Sequence, residues 1–271
     1  MKDKRAKTTN IDSDIDLIEE NFTAKKVTGI PMPGRPPMKG NQKKSEEPAI
    51  FNIKLIRSVV LSGIVLIIIT HFAMQSLYES NPGAYPFDGL FTITDLDQEQ
   101  SFGTFTSQLL FVLSALIFSI RFLMQKKGRD KFFLGILAAG LLGMAIDESI
   151  SLHERTMNVI DTFTDFKPGS FFRFQWLLFG LPLALFILGG LAYLIKTTSL
   201  RLRPFLIGLF VFFCGAVGLE GIGGIIDPNH FNYHVWMTGA EESVELIGTY
   251  LIFVSQLQWL KDRSPVSLYV K

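Results

Sequence analysis

Three short stretches carry the residue types that do chemistry. The first, Asp147-Glu148-Ser149-Ile150-Ser151-Leu152-His153-Glu154, closes an apolar run. The second is Glu220, set among Gly218, Gly221, Gly223 and Gly224, and the third is Glu241-Glu242 followed by Glu245. A lone histidine, His71, interrupts a further apolar run. Carboxylates with imidazole suit zinc, iron or manganese, and carboxylates alone suit calcium or magnesium. The first expectation is therefore a divalent metal ion, with zinc, iron, manganese and calcium all open. Its ligands would come from Asp147, Glu148, Glu154, Glu220, Glu241, Glu242, Glu245, His71 and His153. The same carboxylates suit a proton or cation relay, which would make the chain a transporter subunit. Paired with Arg155, Lys167 and Arg173, they would instead be polar locks in a non-catalytic membrane scaffold.

What must position these residues is a set of six apolar windows, each long enough for a helix to cross a hydrocarbon core of about 30 Å. Helical spans are expected at about 54–76, 105–125, 132–152, 173–195, 204–226 and 237–259. None shows the period-two alternation of a strand. The fold class expected is all-α, a polytopic six-helix transmembrane bundle covering residues 51–262. Residues 1–50 read as a disordered cytoplasmic tail of interspersed charges, Pro and Gly, fit to meet a protein partner, and 263–271 as a short cytoplasmic tail. Lys and Arg sort strongly, 23 on one side of the spans against three on the other. By the positive-inside rule both termini are cytoplasmic, in a cell inner (plasma) membrane, with membrane lipids as the surroundings. Trp176, Trp236 and Trp259 fall near span ends, where interfacial anchors belong.

In that orientation the acids gather at one depth. Asp147, Glu220 and His71 fall about 7.5–9 Å below the outer boundary, and Glu241, Glu242 and Glu245 about 6–12 Å below it. Intramembrane carboxylates cost roughly 2.5–3.5 kcal/mol each at mid-bilayer, so they must face each other, water or a cation. Asp147, Ser151 and Glu154 share a helical face, with Glu148 about 100° round from them. Glu241 and Glu245 share another. The glycines around Glu220, and Ala138, Ala139, Gly140 and Gly143 below Asp147, would let neighbouring backbones approach closely.

Other chemistries are excluded or weakened. A single cysteine, Cys214, rules out an intrachain disulfide and a cysteine-cluster metal site. A net charge of +1 carries no nucleic-acid signal. No Glu-x-x-His pair supports a bundle di-iron centre, because His153 follows Glu148 by five. Asp95-Leu96-Asp97-Gln98-Glu99 begins like a calcium loop, but Gln100 and Thr106 stand where an EF-hand needs Gly and Glu. The stretch keeps a looser role, an acidic lid or an attractor for cations. Walker A, dinucleotide and nucleophile-elbow motifs are missing from the sequence.

Ser149-x-x-x-His153 and His230-x-x-x-His234 resemble motifs of the alkaline ceramidase and progestin-receptor-like membrane hydrolases. That resemblance implies zinc on His153, His230 and His234, activating water against a lipid amide or ester. The group has seven helices and carries its paired histidines on the last one, whereas here they come after Asp227-Pro228-Asn229 in an expected loop. A broader resemblance covers most of residues 90–260. The Asp95-Leu96-Asp97-x-Glu99 loop, Asp147-Glu148-x4-His153-Glu154, Gly218-x-Glu220 and Glu241-Glu242-x-x-Glu245 are similar to those of an uncharacterised group of bacterial multi-pass proteins.

Overall fold

The long apolar runs become helices because nothing within them interrupts intrahelical hydrogen bonding, and their ends carry local stop signals. The computed structural model describes residues 52–80, 88–126, 128–152, 155, 170–198, 200–226 and 231–263. The expected tail at 1–50 lies outside these, as does the expected tail at 263–271 apart from Arg263, which belongs to the last helix. In chain order the helices are α1 (Ile53–Ser80), α2 (Asp88–Thr94), α3 (Phe102–Met124), α4 (Arg129–Ile150) and α5 (Leu177–Thr197). Next come α6 (Arg203–Phe213), a π segment (Cys214–Leu219), α7 (Glu220–Ile225) and α8 (Phe231–Arg263). No strand occurs among the described residues, so the chain is all-α there.

The caps explain several boundaries. Ser101 holds an extended conformation and its side chain accepts from the Thr104 N–H at 3.1 Å, satisfying one orphan donor at the start of α3. Gly128, with φ 140°, makes the turn into α4 that an L side chain would resist. Pro204 occupies the first turn of α6, where no donor is missed. At the far end of α4, Ser151 adopts a left-handed conformation with φ 44° and ends the regular helix after Ile150.

Among the described residues five rods are long and apolar enough to cross a membrane: α1, α3, α4, α5, and the continuous Arg203–Ile225 stretch. The sixth expected span coincides with α8, which is longer at both ends than the apolar window and more polar than the other five. Its position accounts for that polarity. α8 packs against α1, α3, α6, the π segment and α7, so its polar groups face other helices. α4 lies on α3, and α5 lies on α6 and the π segment.

Glycine sets the approach of α8 to its largest neighbour. A Cβ at Gly208 would lie 2.6 Å from the Ile252 backbone nitrogen, and one at Gly215 would lie 2.6 Å from the Glu245 side chain. From the other side, a Cβ at Gly248 would collide with the Phe212 backbone. Two backbones meet here with no side chain between them. Beside this seam lies a core of Phe111, Phe118, Leu134, Leu141, Leu202, Phe205, Leu209 and Ile252, contributed by α3, α4, α6, α8 and the turn before α6. A second core joins Ile64 of α1 to Leu110, Leu246, Tyr250 and Phe253.

One buried cation braces the end of α3. Arg121 donates from Nη1 to Gln256 Oε1 at 2.8 Å, and its guanidinium lies over the Phe118 and Trp259 rings at 4.9 and 4.7 Å. The planar guanidinium can serve both roles because its faces stack while its edge donates.

Candidate functional site

The core fills only part of the space between the helices. Beyond it a chamber of about 1150 Å³ opens, bounded by α4, α5, the Arg203–Ile225 rod, α8 and the loop after α2. Its floor is apolar: Leu191 of α5 and Phe205, Leu209 and Phe212 of α6. Its other end is acidic. Asp95, Asp97, Glu99, Asp147, Glu148, Glu220, Glu241, Glu242 and Glu245 all line it, and no Lys or Arg does among the described residues.

Each helix delivers its acids by a local device. α4 presents Asp147 and Glu148 together, both half-buried, in its last turn before Ser151. The sequence placed Glu148 off the seam of Asp147; the chamber is wide enough that adjacent positions about 100° apart both reach its wall. α8 turns Glu241, Glu242 and Glu245 toward the same space. Glu242 and Glu245 each feel the charges of Glu148, Glu241 and Glu220, and Glu242 also feels Asp97. The acids of four separate segments therefore share one electrostatic environment.

Glu220 is the best-anchored of them. It is buried, and its Oε1 accepts from the Trp176 indole N–H at 2.8 Å. Gly180 makes room for that indole, since a Cβ there would strike the ring. Phe171 and Ser170, in the turn leading to Trp176, lie on Gly221 and Gly224 of α7. The π segment ends directly before Glu220, so the wide turn aims the rod's one carboxylate; such segments recur at functional sites. Close approach was expected of all these glycines. It holds at Gly215, Gly221 and Gly224, whereas a Cβ at Gly218, Gly140 or Gly143 would meet nothing within 4 Å. The last two border the chamber instead.

His71 of α1 also lines the chamber and is buried. Its Nδ1 accepts from the Leu96 N–H at 3.1 Å, which assigns the proton of the neutral ring to Nε2. Asp95 Oδ1 stands 3.6 Å from Nδ1, beyond hydrogen-bond distance. Nε2 rests against Gly239 of α8 and has no hydrogen-bond partner among the described residues. The Leu96 bond, with Asp97 N–H donating to Asp95 Oδ1 at 3.3 Å, folds the acidic loop over the chamber end. Gln75, one turn beyond His71, is buried in the same wall.

Of the nine candidate residues, seven surround this chamber: His71, Asp147, Glu148, Glu220, Glu241, Glu242 and Glu245. His153 and Glu154 lie outside the described residues, as does His230. Among the described residues no three His, Cys, Asp or Glu side chains come together closely enough to hold a metal ion. The acids surround a space and do not converge on a point. Two lining groups were not singled out from sequence. Trp176 read as an interfacial anchor and is the donor to Glu220; nothing in its position distinguishes those roles. Gln75 did carry a signal, as an amide inside an apolar run one helical turn from His71.

Over the described residues these elements define an all-α protein with five apolar helices of membrane-crossing length and an acid-lined internal chamber. The chain belongs to the family described as Domain of unknown function (DUF8692), which matches residues 59–259 and so includes every residue of the chamber. That membership fits the resemblance to an uncharacterised group. No curated protein and no solved structure matches, and nothing joins the chain to the ceramidase-like hydrolases.

Proposed function

We propose that this protein crosses a membrane six times, with both termini cytoplasmic, and binds a cation in its outward-facing chamber. The observation that carries the reading is the charge imbalance of the lining: nine carboxylates and no Lys or Arg among the described residues. A low-dielectric space cannot hold that many ionised acids unaided; it recruits cations, protons or both. Membrane placement is supported by the outward-facing Leu66, Ile69, Phe132, Phe186 and Ile207, which are exposed apolar residues on four different helices. The central place of α8 supports counting it as the sixth span, since three apolar rods, α1, α3 and Arg203–Ile225, would shield its glutamates from lipid. The Lys and Arg asymmetry supports the orientation.

The width of the chamber favours a cation that keeps its water shell, or an organic cation, over a metal ion held by three protein ligands. Its apolar floor favours binding over passage. Purified full-length protein should bind Mn²⁺, Ca²⁺ or tetramethylammonium saturably in calorimetric titration. Combined Glu242→Gln and Glu245→Gln substitutions should weaken that binding at least tenfold. A folded protein that binds none of these cations would overturn the reading.

A further inference from the structure

The end of α4 opposite Asp147 meets three other helix ends. The Arg129 guanidinium at the start of α4 donates to the Thr197 carbonyl at the end of α5. Lys131 Nζ lies 4.7 Å from the centre of the Phe122 ring near the end of α3, and the Phe205 ring of α6 meets Phe118 of α3 at 5.1 Å. Beneath them Leu134, Leu194, Leu202 and Phe205 belong to one buried core. The described residues of 125–132 and 195–204 carry six cations, Lys126, Arg129, Lys131, Lys196, Arg201 and Arg203, against one acid, Asp130.

Three of these helices pair an exposed cation with exposed apolar surface on the same face. On α4, Phe132 and Ile136 follow Arg129 by three and seven residues. On α5, Tyr193 precedes Lys196 by three, and on α6, Ile207 follows Arg203 by four. Such spacings keep each set within about 60° of one direction, with the apolar members one or two turns further along the rod. Arg129, Lys196 and Arg203 are exposed, and Phe132, Tyr193 and Ile207 are each at least 60% exposed. A dissolved phosphate would use the cations and leave the apolar surface without a role. A phospholipid uses both, with its phosphate level with the cations and its chains below them. A guanidinium carries several donors, so a phosphate oxygen can share Arg129 with the Thr197 carbonyl.

We infer that this corner holds an anionic glycerophospholipid of the inner leaflet, its phosphate among Arg129, Lys196 and Arg203 and its chains along Phe132, Tyr193 and Ile207. Lys126, Lys131 and Arg201 add to the field that selects an anionic head group over a zwitterionic one. This rests on the membrane-crossing part of the reading above and is independent of the cation in the chamber.

The test uses tritiated dioleoyl phosphatidylglycerol on the immobilised full-length protein in neutral detergent, with dioleoyl phosphatidylcholine and inorganic phosphate as competitors at fixed ionic strength. Unlabelled phosphatidylglycerol should compete at least tenfold better than either. Lys196→Gln with Arg203→Gln should lower phosphatidylglycerol affinity at least tenfold, at roughly fivefold per cation, while Lys196→Arg with Arg203→Lys keeps it. Lys126→Gln with Arg129→Gln, on the α4 side, should act as the first pair does, so the test survives if one pair fails to fold. Lys54→Gln with Arg57→Gln removes as many exposed cations from α1, which packs on α2, α3 and α8, and should change affinity less than twofold. An equal loss in the α1 pair would overturn the site in favour of diffuse surface charge. Phosphatidylcholine or inorganic phosphate competing as well as phosphatidylglycerol would overturn the anionic lipid. Insertion is read separately, from resistance to alkaline extraction of the protein in phosphatidylcholine vesicles. Protein that inserts but shows no lipid selectivity overturns this inference alone; protein that does not insert overturns the membrane-crossing reading with it.

Discussion

Trp176 and Glu220 offer the sharpest energetic test of the site. The indole N–H donates to Glu220 Oε1 at 2.8 Å in a place where the carboxyl is buried, so water cannot replace the donor cheaply. A hydrogen bond of this kind contributes about 0.5–1.5 kcal/mol between neutral groups and about 1.5–3 kcal/mol when one partner is charged. Trp176→Phe removes the donor while keeping an aromatic ring against Gly180. Glu220→Ala removes the acceptor, but also relieves repulsion from Glu242 and Glu245, so the sign of its single effect does not isolate the bond. The double-mutant cycle does, because the relief of repulsion accompanies Glu220→Ala whether position 176 is Trp or Phe, and so cancels. Unfolding midpoints in detergent should give a coupling of about 1–3 kcal/mol between the two positions, the upper half of that range marking an ionised Glu220. Effects that add to within about 0.3–0.5 kcal/mol would show that the two side chains are merely neighbours, and the placement of Glu220 by Trp176 would be wrong.

Other substitutions probe the frame. Gly248→Ala must push α8 off Phe212 and should destabilise by about 1–3 kcal/mol, whereas Gly140→Ala should be neutral or stabilise by up to about 1 kcal/mol; thermal denaturation of the pair separates the two environments. Gln256→Ala leaves the buried Arg121 guanidinium short of an acceptor and should cost about 1–3 kcal/mol in chemical denaturation. His71→Leu removes the acceptor of the Leu96 N–H, so amide hydrogen exchange across residues 95–99 should rise at least tenfold, while the exchange of α3 stays as it is.

Much of the architecture is legible in the sequence because an apolar run of about twenty residues has few other uses. The spans at 105–125 and 204–226 lie within three residues of α3 and of the Arg203–Ile225 rod. The acids were legible as a group because burying so many invites a shared solution, and seven of the nine named residues line one chamber. Glycine was legible as a marker of open backbone, but not in what it is open to. Gly215 admits a helix and Gly140 admits empty space, and a sequence writes both as a missing side chain. Helical phase carries as far as the regular helix does. Asp147 and Ser151 line the same chamber as expected, Ser151 is left-handed, and Glu154 beyond it lies outside the described residues. Such departures reside in main-chain geometry, and nothing about Cys214–Leu219 except its small residues hints at a widened turn.

That widened turn gives the rod a place where chain length can change. In a regular helix each residue added or removed rotates every later side chain by about 100°, whereas a π turn takes up one extra residue locally. A homologue one residue shorter between 214 and 219 would close to an ordinary helix and keep Glu220 and the Gly221–Gly224 platform on their present side of the rod. Members of the family should therefore show single-residue gaps in this interval with the glutamate retained, and almost none elsewhere in the rod.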